Sequence, residues 1–118
     1  MKDLAPDIVR QRLLIEGLYT AAIDKAAVEK YLVDVAAHLG LRTYGAPIVH
    51  SPGLEGKEEN AGFDGFIPLV DSGISLYVWS KARFFAAVLF TCKKFEVGSA
   101  LVFTKAHFGA RDIEHRSF

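Results

Sequence analysis

The chain has 118 residues, of which 51% are hydrophobic and 12% aromatic, so residues 1–118 suffice for one folded domain with its own core. Fourteen basic and fourteen acidic residues cancel, which gives no electrostatic support for binding nucleic acid or an anionic membrane. No apolar run approaches the roughly 20 residues that span a bilayer, and no secretory signal is visible. A single cysteine, Cys92, cannot form an internal disulfide, so we expect a cytoplasmic protein.

The first half of the chain predicts a strand, a helix and a second strand. The first strand covers about residues 9–19. A helix follows, with Asp24 as its N-cap and Gly40 at its end, because apolar residues recur between them at steps of three and four. Residues 41–49 predict a second strand, which a glycine and a proline make irregular. Residues 51–62 predict a solvated loop, long enough to act as a lid.

The second half predicts three more strands, a helix and a last strand. The strands cover residues 63–70, 74–80 and 84–90, the helix about residues 95–107 and the last strand residues 111–118. A tight turn of Asp71, Ser72 and Gly73 separates the first two of these strands. The order β-α-β-β-β-β-α-β predicts an α+β fold, a two-layer sandwich with two helices on one face of a mainly antiparallel sheet.

Taken alone, the polar residues of this pattern can be explained without a catalytic or metal-binding role. A carboxylate, a hydroxyl and a glycine at a strand corner are explained by turn formation. A lone cysteine is more often a buried small hydrophobe than a reactive thiol. His107 and His115 have no carboxylate or thiol at a supporting spacing, so we expect no metal site.

Three stretches in the centre of the chain resemble a known family. They are GFDGFIPLVDS at 62–72, Ile74-Ser75-Leu76 with Trp79, and AAVLFTC at 86–92. In that family an acidic residue precedes a serine, an Ile-Ser-Ile-like strand runs to a tryptophan, and Phe-Thr-Cys closes the next strand. On these motifs the chain is similar to the prokaryotic S-adenosylmethionine decarboxylases, which are small pyruvoyl-dependent enzymes.

The resemblance implies that the chain cuts itself. Ser72 Oγ would attack the Asp71 carbonyl, giving fragments 1–71 and 72–118 and a pyruvoyl group at the new N-terminus. That cofactor would form a Schiff base with the amine of S-adenosylmethionine or a related amino acid, in polyamine biosynthesis. Cys92 stands where the family has its proton donor. The resemblance also implies a homodimer or larger assembly, with sites at or near the interface.

The same resemblance, with the positions of the residues, supplies candidates for substrate binding. Glu16 stands at the acidic position of the first strand, and it would meet a cationic ligand or only a surface arginine. His50 ends a strand beside the predicted loop, and Trp79 belongs to the family motif. The aromatic residues Phe66, Phe84, Phe85 and Phe90 are expected first of all in the core, although an exposed one could stack on an adenine ring.

Two departures from the family concern self-cleavage. Tyr77 stands where the family has a histidine that acts as acid and base, and Asp64 stands where it has a serine that donates a hydroxyl. A tyrosine phenol is a poor base near neutral pH but can donate a hydrogen bond, and an ionised aspartate would repel an oxyanion. Gly73 also replaces a residue that is commonly histidine, and Ser80-Lys81 stands where Pro-Glu is usual.

Two functions therefore remain open at this point. In the first, Tyr77 and Asp64 support processing in altered form, and the protein is a decarboxylase. In the second, the chain stays uncut and inactive, and it binds a small ligand or regulates a partner subunit. A purely structural role in an oligomer is a weaker third.

Overall fold

One antiparallel sheet of six strands organises the protein. The computed structural model describes residues 1–51 and 61–118, so nearly all of the predicted loop at 51–62 lies outside the described residues. The elements are β1 (Gln11–Leu18), α1 (Lys25–His38), β2 (Ile48–His50), β3 (Gly62–Leu69), β4 (Ser72–Trp79), β5 (Phe84–Thr91), α2 (Val97–Phe108) and β6 (Asp112–Ser117). The strand order is β2-β3-β4-β5-β1-β6. Both helices share one core with the sheet, which confirms the predicted two-layer α+β fold.

Helix α1 forms where the sequence predicts it because both of its ends are specified. The Asp24 carboxylate accepts a hydrogen bond from a first-turn amide at 2.8 Å, and Gly40 adopts the left-handed conformation, with φ of 69°, just beyond the other end. The helix lies very close to β3 at Gly65. A Cβ at this position would lie 3.0 Å from the side chains of both Val28 and Leu32.

The helices and the sheet meet in a core that contains one buried polar pair. The rings of Phe85 on β5 and Phe108 on α2 stack with centroids 3.9 Å apart. Beside them the hydroxyl groups of Tyr31 and Thr104 lie 2.8 Å apart and join the two helices. Burial raises the pKa of Tyr31 above its ordinary value, and the hydrogen bond with Thr104 partly opposes this shift.

The second strand is much shorter than the prediction of residues 41–49. It contains only Ile48–His50, and Thr43 forms a single isolated bridge with Leu69. Pro47 has no amide hydrogen to donate to a ladder, and Gly45 weakens an extended segment, so regular pairing begins only after them.

The second face of the sheet has no helix against it within the described residues, and we call it the open face. Phe66, Tyr77 and Phe90 project from it and are 42%, 39% and 41% exposed. The prediction that Phe66 and Phe90 belong to the core is therefore wrong, whereas Phe85 is fully buried. The reason is the alternation of side chains along a strand, which sends Phe85 and Phe90 to opposite faces of β5.

Neither described helix combines the length and the apolar character needed to cross a membrane.

Candidate active site

The corner between β3 and β4 is a two-residue turn made by Val70 and Asp71. Ser72 and Gly73 already belong to β4, where they pair with β3, so the predicted Asp-Ser-Gly turn is wrong. Asp71 is the residue with left-handed backbone, at φ of 55°. A non-glycine residue held there costs on the order of 1 kcal/mol, and aspartate is among the residues that tolerate it best. The peptide carbonyl that precedes Ser72 therefore lies in strained backbone.

Ser72 and Cys92 meet at this corner. The backbone N–H of Cys92 donates a hydrogen bond to Ser72 Oγ, with a length of 2.9 Å. The Cys92 thiol is free and half-buried. A cavity of about 220 Å³ opens beside both residues; its lining comprises Leu41, Arg42, Leu69, Val70, Asp71, Ser72, Cys92 and Lys93. Asp71, Ser72 and Cys92 thus line one small cavity.

Two cations in this lining, Arg42 and Lys93, were not predicted as site residues. The Lys93 ammonium donates to the carbonyl of Gly40 at 3.0 Å, and the Arg42 carbonyl accepts from the Val70 N–H at 3.0 Å. Within the described residues, neither side chain lies at ion-pair distance from a carboxylate. Lys93 follows Cys92 directly in the sequence, and this proximity to the thiol could have identified Lys93 as a site residue. Nothing in the sequence connects Arg42 with this corner.

A second hollow, of about 360 Å³, reaches the same corner from the open face. It is lined by Phe66, Asp71, Ser72, Gly73, Ser75, Val88 and Phe90. The Phe66 ring lies over Gly73, where an added Cβ would come within 2.7 Å of it. The Phe66 ring thus occupies the space that a side chain at position 73 would need, which explains why a glycine is accommodated there. Asp71 and Ser72 line both cavities.

The other predicted site residues lie elsewhere in the same chain. His50, Asp64 and Tyr77 are direct partners on three neighbouring strands and form a row on the open face. Glu16 extends this row across β5 and faces Glu114 on β6.

This row is remote from the corner in one chain. Tyr77 is five residues along β4 from Ser72, about 17 Å in an extended strand, and an odd number of steps sends the two side chains to opposite faces. Trp79 lies farther along β4, against Phe84 with ring centroids 5.3 Å apart. One chain therefore brings Asp71, Ser72 and Cys92 together and leaves the remaining candidates apart from them.

The described residues contain no group of three or more potential metal ligands.

Comparison with known proteins then identifies the family. A family model described as S-adenosylmethionine decarboxylase matches residues 13–118. The chain belongs to the S-adenosylmethionine decarboxylase family. This confirms the resemblance read from the sequence motifs.

A solved structure shares the family fold. The adenosylmethionine decarboxylase from Aquifex aeolicus VF5 superposes with a TM-score of 0.72, and the alignment covers 94% of this chain and 89% of that one. At 14% sequence identity, this likeness establishes the fold. No curated protein sequence matches the chain.

Proposed function

We propose that this member of the family is a pyruvoyl-dependent decarboxylase that cuts itself between Asp71 and Ser72 and acts on S-adenosylmethionine or a related amino acid. The observation that carries the proposal is the 2.9 Å hydrogen bond from the Cys92 N–H to Ser72 Oγ at the edge of a shared cavity. This contact supports the proposal because it joins the residue proposed to supply the hydroxyl for processing to the backbone of the residue proposed to supply the thiol for turnover.

The residues at the corner fit the formation of a pyruvoyl group. Ser72 Oγ would form a bond to the Asp71 carbonyl carbon as the peptide C–N bond breaks, which turns the amide into an ester. Loss of the Ser72 Cα proton then breaks the Ser72 Cβ–Oγ bond, releases the Asp71 carboxylate and leaves a dehydroalanine. Water converts this group to the ketone and frees ammonia, so atoms and electrons balance. The left-handed backbone of Asp71 favours the first step, because leaving the strained peptide relieves its cost.

In the processed protein, residue 72 would carry the pyruvoyl group, which would supply an electron sink for the loss of CO2 from the carboxylate of an amino-acid substrate. Cys92 Sγ would hold the proton that replaces that carboxylate. The cavity of about 220 Å³ is smaller than the roughly 300–1,000 Å³ common for whole drug-sized ligands, so it suits the amino-acid end of the substrate. The hollow with the exposed rings of Phe66 and Phe90 suits an adenine base by stacking.

We propose further that a second copy of the chain covers the open face. Strands β3, β4, β5 and β1 have eight residues each, β6 has six and β2 has three. At about 3.3 Å per residue and about 4.8 Å between strands they make a surface of roughly 650 Å², near the ~800 Å² per partner of a standard interface. Because Ser72 is the first residue of β4 and lines the hollow on this face as well as the cavity on the other, a partner copy seated here would bring groups to the Asp71–Ser72 peptide that one chain holds too far away. Tyr77 and Asp64 of the partner would then assist cleavage.

The experiment that tests processing is the intact mass of purified protein during prolonged incubation. We expect the 13.0 kDa chain to give two fragments, 1–71 and 72–118, the second carrying a ketone that borohydride reduces. Ser72→Ala removes the attacking hydroxyl and should leave one uncut species. Ser75→Ala, on the same strand, is the matched control and should still be cut.

A single uncut species in the wild type after long incubation would reject processing and support the uncut, ligand-binding homologue. The double variant Tyr77→His with Asp64→Ser restores the family residues at both positions. It should be cut faster than the wild type if those two departures limit the reaction.

A further inference from the structure

The segment that follows β5, residues 92–95, carries the thiol, and we call it the thiol loop. Its far end is held by one side chain from another strand. The Gln11 amide nitrogen donates to the Phe95 carbonyl at 2.9 Å, and the Gln11 amide oxygen accepts from the Phe95 N–H at 2.9 Å. A single side-chain amide thus satisfies both backbone groups of Phe95. Gln11 lies at the start of β1, 84 residues away in sequence.

The near end of the thiol loop is held by β4 and β5. The fully buried hydroxyl of Thr91 donates to the Lys93 carbonyl at 2.7 Å, and the Cys92 N–H donates to Ser72 Oγ. Gln11 and Thr91 are direct partners in the pairing of β1 with β5. Two neighbouring side chains of the sheet therefore hold the two ends of one short loop.

We infer that Gln11 is a positioning residue, which sets the Cys92 thiol and the Cys92 N–H against Ser72 by holding the thiol loop at Phe95. With the Gln11 contact removed, the loop keeps its attachment to β5 but loses the attachment to β1. Phe95 would then have a partly buried N–H and carbonyl without their partner, which favours opening of the loop toward water. The chemical use of this placement rests on the proposed function, but the placement itself can be measured without turnover.

The test is the rate at which iodoacetamide alkylates the folded protein, because Cys92 is the single cysteine of the chain. Gln11→Met keeps the length of the side chain and removes both hydrogen bonds. We expect it to speed alkylation by about tenfold, since loss of about one net hydrogen bond or more raises the open population by that order. Gln11→Glu keeps the acceptor for the Phe95 N–H and should give an intermediate rate.

The matched control removes comparable contacts at the other end of the sheet. Arg83 donates to the carbonyls of Tyr19, Thr20 and Ala21 at 3.2, 2.7 and 3.3 Å. Arg83→Met should destabilise the fold but leave the alkylation rate within about twofold of wild type, because its effect is global and not local to the thiol.

Equal rates in wild type and Gln11→Met would overturn the inference, and so would an equal acceleration in Arg83→Met. Should Gln11→Met not fold, hydrogen exchange of the wild type decides: the Phe95 amide should be protected like those of β1, and rapid exchange there would overturn the inference. These measurements require neither self-cleavage nor turnover, so they can be made on an uncut or inactive protein. Failure of the decarboxylase proposal and failure of this inference are therefore separate outcomes.

Discussion

Two non-glycine residues among the described ones have left-handed backbone, and they differ in how they are supported. Arg83, at φ of 52°, is held by three hydrogen bonds from its guanidinium and by a contact with the ring of Tyr19. Asp71, at φ of 55°, has no side-chain hydrogen bond within the described residues. Backbone strain at Asp71 that no such contact offsets fits the proposal that the chain is cut there. The contrast supports Asp71–Ser72 as the reacting bond.

His107 gives a prediction about pH. Its Nε2 lies 3.1 Å from the carbonyl of Ala27 in α1, and burial lowers the pKa of His107, a shift that Ala27 and Asp34 partly oppose. Because the unfolded chain binds this proton at about pH 6.5 while the folded protein resists it, the stabilisation is complete above that pH and is lost as the pH falls. We therefore expect the free energy of unfolding, from urea titrations, to decrease between pH 7.5 and pH 5.

The variant that checks this assignment is His107→Gln, which retains a side-chain donor for Ala27. The free energy of unfolding of this variant should depend less on pH over that interval than that of the wild type. An unchanged dependence would show that other groups are responsible.

At the scale of elements, the sequence predicted best where local chemistry marks both ends. Helix α1 was correct because its cap at Asp24 and its terminal Gly40 are both visible in the sequence. Strand β4 was misjudged at its start, because Gly73 was expected to make the turn, whereas Asp71 adopts the left-handed conformation. Pairing with β3 determines where β4 begins, because the ladder extends to Ser72 and leaves only two residues for the turn.

The site was predictable only in part for a similar reason. The family motif places Ser72 and Cys92 at the ends of adjacent strands, and the structure brings them together. The period of two along a strand already implies that Tyr77 faces away from Ser72, so this part of the geometry could have been read from the sequence. The contact between Gln11 and Phe95 could not, because it depends on the pairing of β1 with β5.

At the scale of the whole molecule, the open face gives a prediction about assembly. Phe66→Lys with Phe90→Lys places two charges on the surface proposed to meet a second copy, where burying them would be costly. We expect a dimer in the wild type and a monomer in this variant by sedimentation velocity. Val102→Lys is the control, because Val102 is 72% exposed on α2, away from the sheet, and its variant should stay dimeric.

The same samples test whether the partner contributes to processing. The monomeric variant should be cut more slowly than the wild type, because Tyr77 and Asp64 of a partner would no longer lie near Ser72. A wild type that sediments as a monomer would contradict the proposed assembly.

The strand order has a consequence for how a processed molecule recovers from denaturation. Cleavage after Asp71 assigns β1, β2 and β3 to one fragment and β4, β5 and β6 to the other, so the sheet order alternates between fragments. Strands β4 and β5 lie between β3 and β1, and β6 lies on the far side of β1. The fragments are thus interlocked and should remain associated without a covalent link. Once separated by urea, however, they must find each other again, so renaturation becomes second order and slows on dilution, whereas the intact precursor refolds at a rate independent of concentration.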